Sequence, residues 1–555
     1  MFAKTRKVVR GFALFLRYFE CMLLGVGGVV VSFSSAAFAE SKPSLLVNGE
    51  TLIGARSATS GVDAFLGIPF AVAPIGELRW QAPREFHGRG STRPADRFAP
   101  ACMQSMRILD WYRGMAERFG GSRRVFADLD TAEDCLYLNI WAPTRPAEPS
   151  ASSGLPVMVF VHGGSNRSGW SFEPNYHGYR LAAEGVVVVS IAYRLGVFGF
   201  FAHPQLAGAN FGLQDQLAAL RWIQRNIASF GGDPQRVTMF GESSGAGNIA
   251  ALMLSPASRG LLQRAILQSG SAFGWPKIRT LADEQARGLK LASVLDDLQS
   301  PKIFGVSPMT SQQQISALRR IDAKMLLRVA EKVYRDHYHA PVIDGEIINA
   351  GLDEQLARAD WPLQQLMIGS NANEYYSVAA GAGDPAAVDR AVAGAEILNT
   401  AAVRKALSAT SDVALALDRL ETAESMLCPA QWLAAGVARA GRPVWMYQFA
   451  RVREGAVAAQ LRAYHGAELP YVFGTHDAWL PTADADRQLT QKMMAAWVEF
   501  ARSGSPLAAT PHWPRFTVPG PRNVMQWNAP LNEASAIIDS PEPDLCRIYG
   551  EKIRP

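Results

Sequence analysis

The sequence predicts an α/β protein with a mostly parallel central sheet, helices on both of its faces and large helical insertions. Two apolar runs carry the first part of that expectation: Leu155-Pro156-Val157-Met158-Val159-Phe160-Val161, and residues 186–192 with their consecutive valines. Both are short and β-branched. The first ends in His162-Gly163-Gly164-Ser165 and the second in Tyr193-Arg194, the form of strands buried on both faces. Between residues 215 and 230, Leu217, Leu220, Ile223 and Ile227 recur at helical spacing until Gly231-Gly232-Asp233-Pro234 stops them. A strand over 236–240 follows, and strands after helices at this interval imply crossovers into a parallel sheet. Ala265-Ile266-Leu267, Leu366-Met367-Ile368 and Val444-Trp445-Met446-Tyr447 read as further strands, and residues 281–360 and 375–440 as mainly helical insertions. Residues 146–154 read as a Pro/Ser-rich surface loop. With no repeat or linker apparent, residues 40–555 are read as one domain.

Composition narrows the function classes. Apolar residues make up 48% of the chain and charged residues 19%, as in an ordinary globular protein. The formal charge of +5 lies mostly at one end, where Lys4, Arg6, Lys7, Arg10 and Arg17 face only Glu20. The rest is close to neutral, so nothing asks for nucleic acid or an anionic membrane. The basic end is followed by an apolar stretch from Cys21 to Phe33 and by Ala37-Phe38-Ala39 before Glu40. That is the form of a signal peptide, residues 1–39, cut after Ala39. Its core falls short of the roughly 20 residues that span a bilayer comfortably. The expectation is an exported protein, periplasmic or secreted, without stable membrane insertion.

Export makes the cysteines interpretable. Cys102, Cys135, Cys428 and Cys546 follow the signal. A Cys102–Cys135 bridge would close a loop of about 33 residues, worth about 3–4 kcal/mol by chain entropy. Whether Cys428 and Cys546 pair is left open by their spacing. His337 and His339 would share one face of what reads as a polar strand, with no third ligand nearby, so no metal is expected.

Ser243 is the candidate nucleophile. It sits in Gly241-Glu242-Ser243-Ser244-Gly245, directly after the 236–240 strand and before a small-residue helix start. A serine in such a turn projects its oxygen, and glycines two before and two after let strand and helix pass. A serine hydroxyl needs a base, and the base an orienting acid. On a doubly wound sheet these follow in the order serine, acid, histidine, each after a strand. Glu374 closes the polar turn after Leu366-Met367-Ile368, and His465 follows the strand at 444. His162-Gly163-Gly164-Ser165 supplies flexible backbone whose amides could receive a developing oxyanion, completed by the Ser244 N–H.

With these parts in place the chain resembles the type-B carboxylesterases, the family of carboxylesterases, cholinesterases and bacterial esterases. The resemblance runs through Phe65-Leu66-Gly67-Ile68-Pro69-Phe70-Ala71, Leu78-Arg79-Trp80, Glu133-Asp134-Cys135-Leu136-Tyr137-Leu138-Asn139-Ile140 and Asn210-Phe211-Gly212-Leu213-Gln214-Asp215-Gln216. It continues through the Ser243 turn, Gln268-Ser269-Gly270-Ser271 and His465-Gly466-Ala467-Glu468-Leu469-Pro470-Tyr471-Val472-Phe473-Gly474. It implies an α/β-hydrolase fold, Ser243 as nucleophile, His465 as base and Glu374 as orienting acid. It also implies oxyanion donors at Gly164, Ser165 and Ser244, supporting roles for Ser269 and Glu242 beside the acid and base, and a Cys102–Cys135 disulfide. Arg79 with Glu133, and Arg194 with Asp215, resemble structural ion pairs. No cofactor is implied; the reactants are a small-molecule ester and water.

Two departures bear on the substrate. Ser165 stands where the family usually has a third glycine. A cysteine that cholinesterases pair with the equivalent of Cys428 is absent around Met493-Met494-Ala495-Ala496-Trp497, and Trp111 lies near the start of the Cys102–Cys135 loop, so a quaternary-ammonium site is unsupported. The reading is a serine carboxylesterase acting through an acyl-enzyme. The rival from another class is a non-catalytic cholinesterase-like binding module; an amidase is a weaker alternative. Arg107, Arg113, Arg118, Arg123 and Arg124 crowd one loop, with Arg167 just after the oxyanion segment. If Arg113 and Arg167 reach the substrate, they would favour anionic polycarboxylate esters, including the tricarballylate esters of fumonisin-type toxins. The other reading of these arginines is a solvated surface with local ion pairs.

Overall fold

In the computed structural model, seven parallel strands form the centre of an eleven-stranded sheet. The structure describes residues 42–553 apart from 58–59, 145–153, 275–276, 299–310, 359–360, 380–382, 396–398, 477–479, 511, 521 and 529–535. The signal-peptide reading for residues 1–39 and most of the 146–154 loop lie outside the described residues. The strands are β1 (Ala55–Arg56), β2 (Val62–Pro69), β3 (Tyr137–Pro143), β4 (Leu155–Val161), β5 (Val187–Ile191), β6 (Gly232–Glu242), β7 (Arg264–Gln268), β8 (Gln365–Asn371), β9 (Val444–Phe449), β10 (Val524–Trp527) and β11 (Ile537–Ile538). Their spatial order is β11-β10-β9-β8-β7-β6-β4-β5-β3-β2-β1. The run from β10 to β5 is parallel. The edges β3, β2, β1 and β11 are antiparallel.

Strand β4 shows why the centre forms. Val157, Val159 and Val161 pack with Leu217, Leu220 and Ile223 of helix α2 (Phe211–Asn226) and Ile249 of helix α3 (Ser244–Leu254). Met158 and Phe160 point the other way, into the cluster holding Met493, Trp497 and Phe500 of a helix over Asp484–Ser503. Alternate side chains therefore bury against helices on opposite faces, which a near-continuous apolar run with period two requires. Helix α2 begins at Phe211, four residues before the expected start. Its last turn, Ile227–Phe230, tightens to 3-10 geometry and ends on Gly231 at φ 90°, where glycine avoids a Cβ clash. Strand β6 starts at Gly232, earlier than 236, through a register irregularity against β4 between Gly232 and Val237.

Long-range ties hold the loops that emerge from this frame. Cys102–Cys135 closes a loop of 33 residues and Cys428–Cys546 one of 118; in the chain-entropy account these stabilise by about 4 and about 5 kcal/mol. The second pairing answers a question that spacing left open. Arg79 grips Glu133 with two nitrogens, at 2.6 and 2.5 Å, and also donates to the Ile321 carbonyl. Arg194 does the same to Asp215 at 2.8 and 2.7 Å, with side chains 3% and 0% exposed. Losing one member of such a buried pair strands a charge, at about 3–5 kcal/mol.

Inside the first disulfide loop, residues 107–118 form a helix, α1 (Arg107–Arg118), followed by a 3-10 turn at Arg123–Val125. The arginine-rich segment is thus helical where a loop was expected. The insertions at 281–360 and 375–440 are mainly helical. One of them holds a π-turn at Ala423–Leu427, and Met426 of that turn lines the cavity above the sheet. His337 lies in a bend and Tyr338 and His339 in irregular backbone, not a strand. His339 is buried against Tyr334 at 4.3 Å between ring centroids. No helix among the described residues is long and apolar enough to cross a membrane.

Candidate active site

The turn between β6 and α3 places Ser243 at φ 57°, ψ −128°, a region a non-glycine residue occupies only under strain. The flanking glycines are sterically required. A Cβ on Gly241 would lie 2.6 Å from the Val161 carbonyl oxygen, and one on Gly245 would lie 2.2 Å from that same oxygen. The end of β4 therefore passes directly over the turn. Ser243 N–H donates to the Gln268 carbonyl at 2.8 Å, locking the turn to the end of β7.

The structure brings the three expected partners together from three loops. Ser243 Oγ lies 2.9 Å from His465 Nε2, and His465 Nδ1 lies 2.7 Å from Glu374 Oε2. The other Glu374 oxygen accepts from the Asn371 N–H at 2.7 Å, which fixes the carboxylate plane. The acid and histidine loops are tied to each other: Asn373 N–H donates to Ala463 O, and Asn371 Nδ2 to both Tyr464 O and Glu468 Oε2. Glu468 also accepts from Gln268 Nε2 at 3.0 Å, joining β7 to the histidine loop.

Of the expected oxyanion segment, Gly163, Gly164 and Ser165 line the cavity beside Ser243. Gly164 has φ 102° and Ser165 φ 63°, so the serine adopts the left-handed backbone that its side chain disfavours. What holds it there is Asn166, a residue the sequence did not single out. Asn166 is 0% exposed. Its N–H donates to Ser244 Oγ, its side chain exchanges hydrogen bonds with Asn248, and its carbonyl accepts from Gly196 N–H. The loop is bolted onto α3, the helix that opens with Ser244.

Two supporting residues differ. Glu242 Oε1 stands 3.1 Å from His465 Nε2, beside the base as expected. Ser269 is buried at φ 52°, and its N–H donates to Gly369 O. Its hydroxyl has no partner among the described residues, so it bonds neither acid nor base. The reason is position: Ser269 caps β7, with its backbone used to join β8.

Burial dominates the electrostatics. It raises Glu242 and Glu468 above the ordinary carboxylate range, with neighbouring carboxylates adding to the effect. For His465, burial disfavours the charged ring, but Glu242, Glu374 and Glu468 outweigh it and raise its pKa. The ring is 34% exposed to the cavity, so solvent screens part of that field. His162, wholly buried, is instead pushed down to about 4 by burial and stays neutral.

These residues floor a cavity of about 610 Å³ walled by the insertions and by α1. A second cavity of about 350 Å³, between Leu356 and Trp432, holds none of them. Arg167 lines the larger cavity, as does Arg107. Neither makes a salt bridge among the described residues, and burial together with Arg107 lowers the Arg167 pKa. Arg113 does not line it. Its guanidinium is spent on the Phe126 carbonyl at 3.0 Å and Asp128 at 2.8 Å, because on a helix it faces away from Arg107 and Trp111, which are four residues apart. Arg123 pairs with Glu117 at 3.0 Å.

Residues 42–544 match the model of the carboxylesterase family. The chain belongs to the carboxylesterase family. It is 34% identical to fumonisin B1 esterase of Sphingopyxis macrogoltabida, over 88% of each chain. It is 32% identical to para-nitrobenzyl esterase of Bacillus subtilis (strain 168), over 82% of this chain and 89% of that one. Human cocaine esterase is 32% identical over 84% of both. A solved PNB esterase superposes with a TM-score of 0.74 at 27% identity, covering 92% of this chain and 99% of its own. The fold is the α/β-hydrolase fold, and the carboxylesterase is a carboxylic-ester hydrolase.

Removing a carboxylate that stabilises the imidazolium must lower its pKa. In Glu242→Gln the pH at which the His465 ring loses its proton, followed by its NMR shift, is expected to fall by about one pH unit or more. An unchanged or higher midpoint contradicts the field described.

Proposed function

We propose that the protein is a serine carboxylesterase that works through an acyl-enzyme on Ser243. The observation that carries this reading is the hydrogen-bonded chain Glu374–His465–Ser243 at the floor of the cavity. Ser243 Oγ attacks the ester carbonyl as His465 Nε2 takes its proton. Glu374 holds the ring in the tautomer with Nδ1 protonated and stabilises the imidazolium. The negative charge on the carbonyl oxygen is received by backbone N–H groups of Gly164, Ser165 and Ser244, which donate to no other group among the described residues. His465 returns the proton to the departing alcohol. Water, activated by the same ring, then releases the acid and frees Ser243.

A specific observation favours a second, narrower reading. Arg107 and Arg167 stand together on the cavity wall without a salt-bridge partner among the described residues, and a relative carries the name fumonisin B1 esterase. We infer a preference for esters bearing a further carboxylate, such as tricarballylate esters of fumonisin-type toxins. The N-terminal segment is proposed as an export signal, supported by two disulfides that suit an oxidising compartment.

Ser243→Ala is expected to lower turnover of activated aryl esters by about 10⁴-fold or more; wild-type turnover by that variant would end the nucleophile assignment. For the anionic reading, kcat/KM of a carboxylate-bearing ester relative to its neutral isostere should exceed one, fall as salt rises, and drop by about tenfold in Arg107→Ala/Arg167→Ala. A salt-independent preference for the neutral ester contradicts it. For export, the protein recovered outside the cytoplasm should begin at Glu40; recovery with the segment intact argues for a retained anchor.

A further inference from the structure

The cavity wall contains one buried acid that the hydrolytic steps leave unused. Glu173 is 1% exposed and stands at the entrance to the Pro174–Tyr176 turn, on the segment that continues from the oxyanion loop. It lines the same cavity as Ser243, Gly163 and Glu242. The Tyr112 hydroxyl, on α1, the Tyr176 hydroxyl and the Trp170 N–H are the polar groups that act on its carboxyl. Its Oε2, itself enclosed, has no hydrogen-bond partner among the described residues.

A desolvated carboxyl oxygen left unpaired is costly, and native structures rarely keep one without use. Here it belongs to a buried side chain that lines the reaction cavity. The wall around it is acidic: Glu242 interacts with Glu173 and with the other buried carboxyls. The cavity's cations Arg107 and Arg167 act on each other and on Glu331 instead. No cation is among the groups that act on Glu173, so this part of the wall suits a hydrogen-bond donor. Burial pushes Glu173 up to about 8, so around neutrality it is present as acid and as carboxylate, and an oxygen able to accept is available in both.

We propose that Glu173 is a specificity-determining residue whose carboxyl, on the cavity wall, accepts an O–H or N–H from the substrate, so that the cavity selects esters bearing a hydroxyl or primary ammonium group over isosteres ending in methyl. The inference rests on the esterase reading above. A site built to hydrogen-bond a substrate group rejects the analogue lacking it far more strongly than an apolar pocket distinguishes a methylene.

The test uses two matched series of esters on the full-length protein. In one, phenyl esters carry a terminal methyl, hydroxyl, ammonium or trimethylammonium on the acyl chain; in the other, butyrate esters carry the same four groups on the alcohol. In at least one series the hydroxyl or ammonium ester should exceed the methyl ester in kcat/KM by about tenfold or more. Trimethylammonium, a cation with no N–H, should gain nothing. Glu173→Met should bring that ratio to within about twofold of one, whatever the absolute rates. Glu173→Gln keeps an acceptor without the charge, so it should retain preference for the hydroxyl and lose it for the ammonium ester. Equal turnover of methyl, hydroxyl and ammonium esters by the wild type in both series overturns the inference while leaving the esterase reading intact. So does a preference that survives in Glu173→Met. Hydrolysis of no ester in either series defeats the esterase reading itself.

Discussion

The passage of the end of β4 over the Ser243 turn is the constraint on which the site depends. Val161 and His162 carbonyl oxygens lie where a Cβ on Gly245 would stand, so the strand and the helix start can approach only with glycine at that position. That closeness forces Ser243 into its strained backbone and lifts its oxygen off the sheet. It also sets the loop that leaves β4, residues 162–166, directly beside the serine, and its amides are the proposed oxyanion donors. One steric contact thus positions the proposed nucleophile and the proposed oxyanion donors together. The buried β-branched packing of β4 on both faces supplies the rigidity that holds the strain.

Around that contact the molecule concentrates negative charge. Glu242, Glu374 and Glu468 surround one imidazole, and each is placed by hydrogen bonds or packing from a different loop. In so dry a setting the carboxylates cannot all ionise cheaply. The result is division of labour: Glu374, satisfied by the Asn371 N–H and by His465, orients the ring, while burial raises Glu242 and Glu468 and the imidazolium draws Glu242 back toward the carboxylate that stabilises it. The same loops that tune the histidine also hold the sheet's switch from β7 to β8 and β9 together, so catalysis and fold share their hydrogen bonds.

Much of the sheet centre was legible in the sequence, because a strand buried on both faces announces itself locally in residues such as 155–161 and 186–192. The edges were not, since β1 and β11 are two residues long and take their place only from neighbours. Ser243, Glu374 and His465 were legible because each closes a turn after a strand, in an order the sheet imposes. Asn166 and Glu173 were not: an asparagine in a loop and a carboxylate before proline look solvated until tertiary packing encloses them. Arg113 misled for a related reason. Once residues 107–118 are a helix, Arg107 and Trp111 share a face and Arg113 cannot join them; the helical period is carried by the buried Leu109, Tyr112, Met115 and Ala116, not by the arginines. The Cys428–Cys546 pairing depends on where two distant helices meet, which spacing does not encode.

The central claim is that hydrolysis passes through an ester of Ser243. It is tested most directly by acid-quenching the protein during steady turnover of an activated aryl ester and locating the acyl mass by peptide mass spectrometry. The account predicts an acyl group on the peptide containing Ser243, on the hydroxyl of that residue, appearing with a burst of released phenol. Steady turnover with no acyl group on Ser243, or with the acyl group on another side chain, would contradict it.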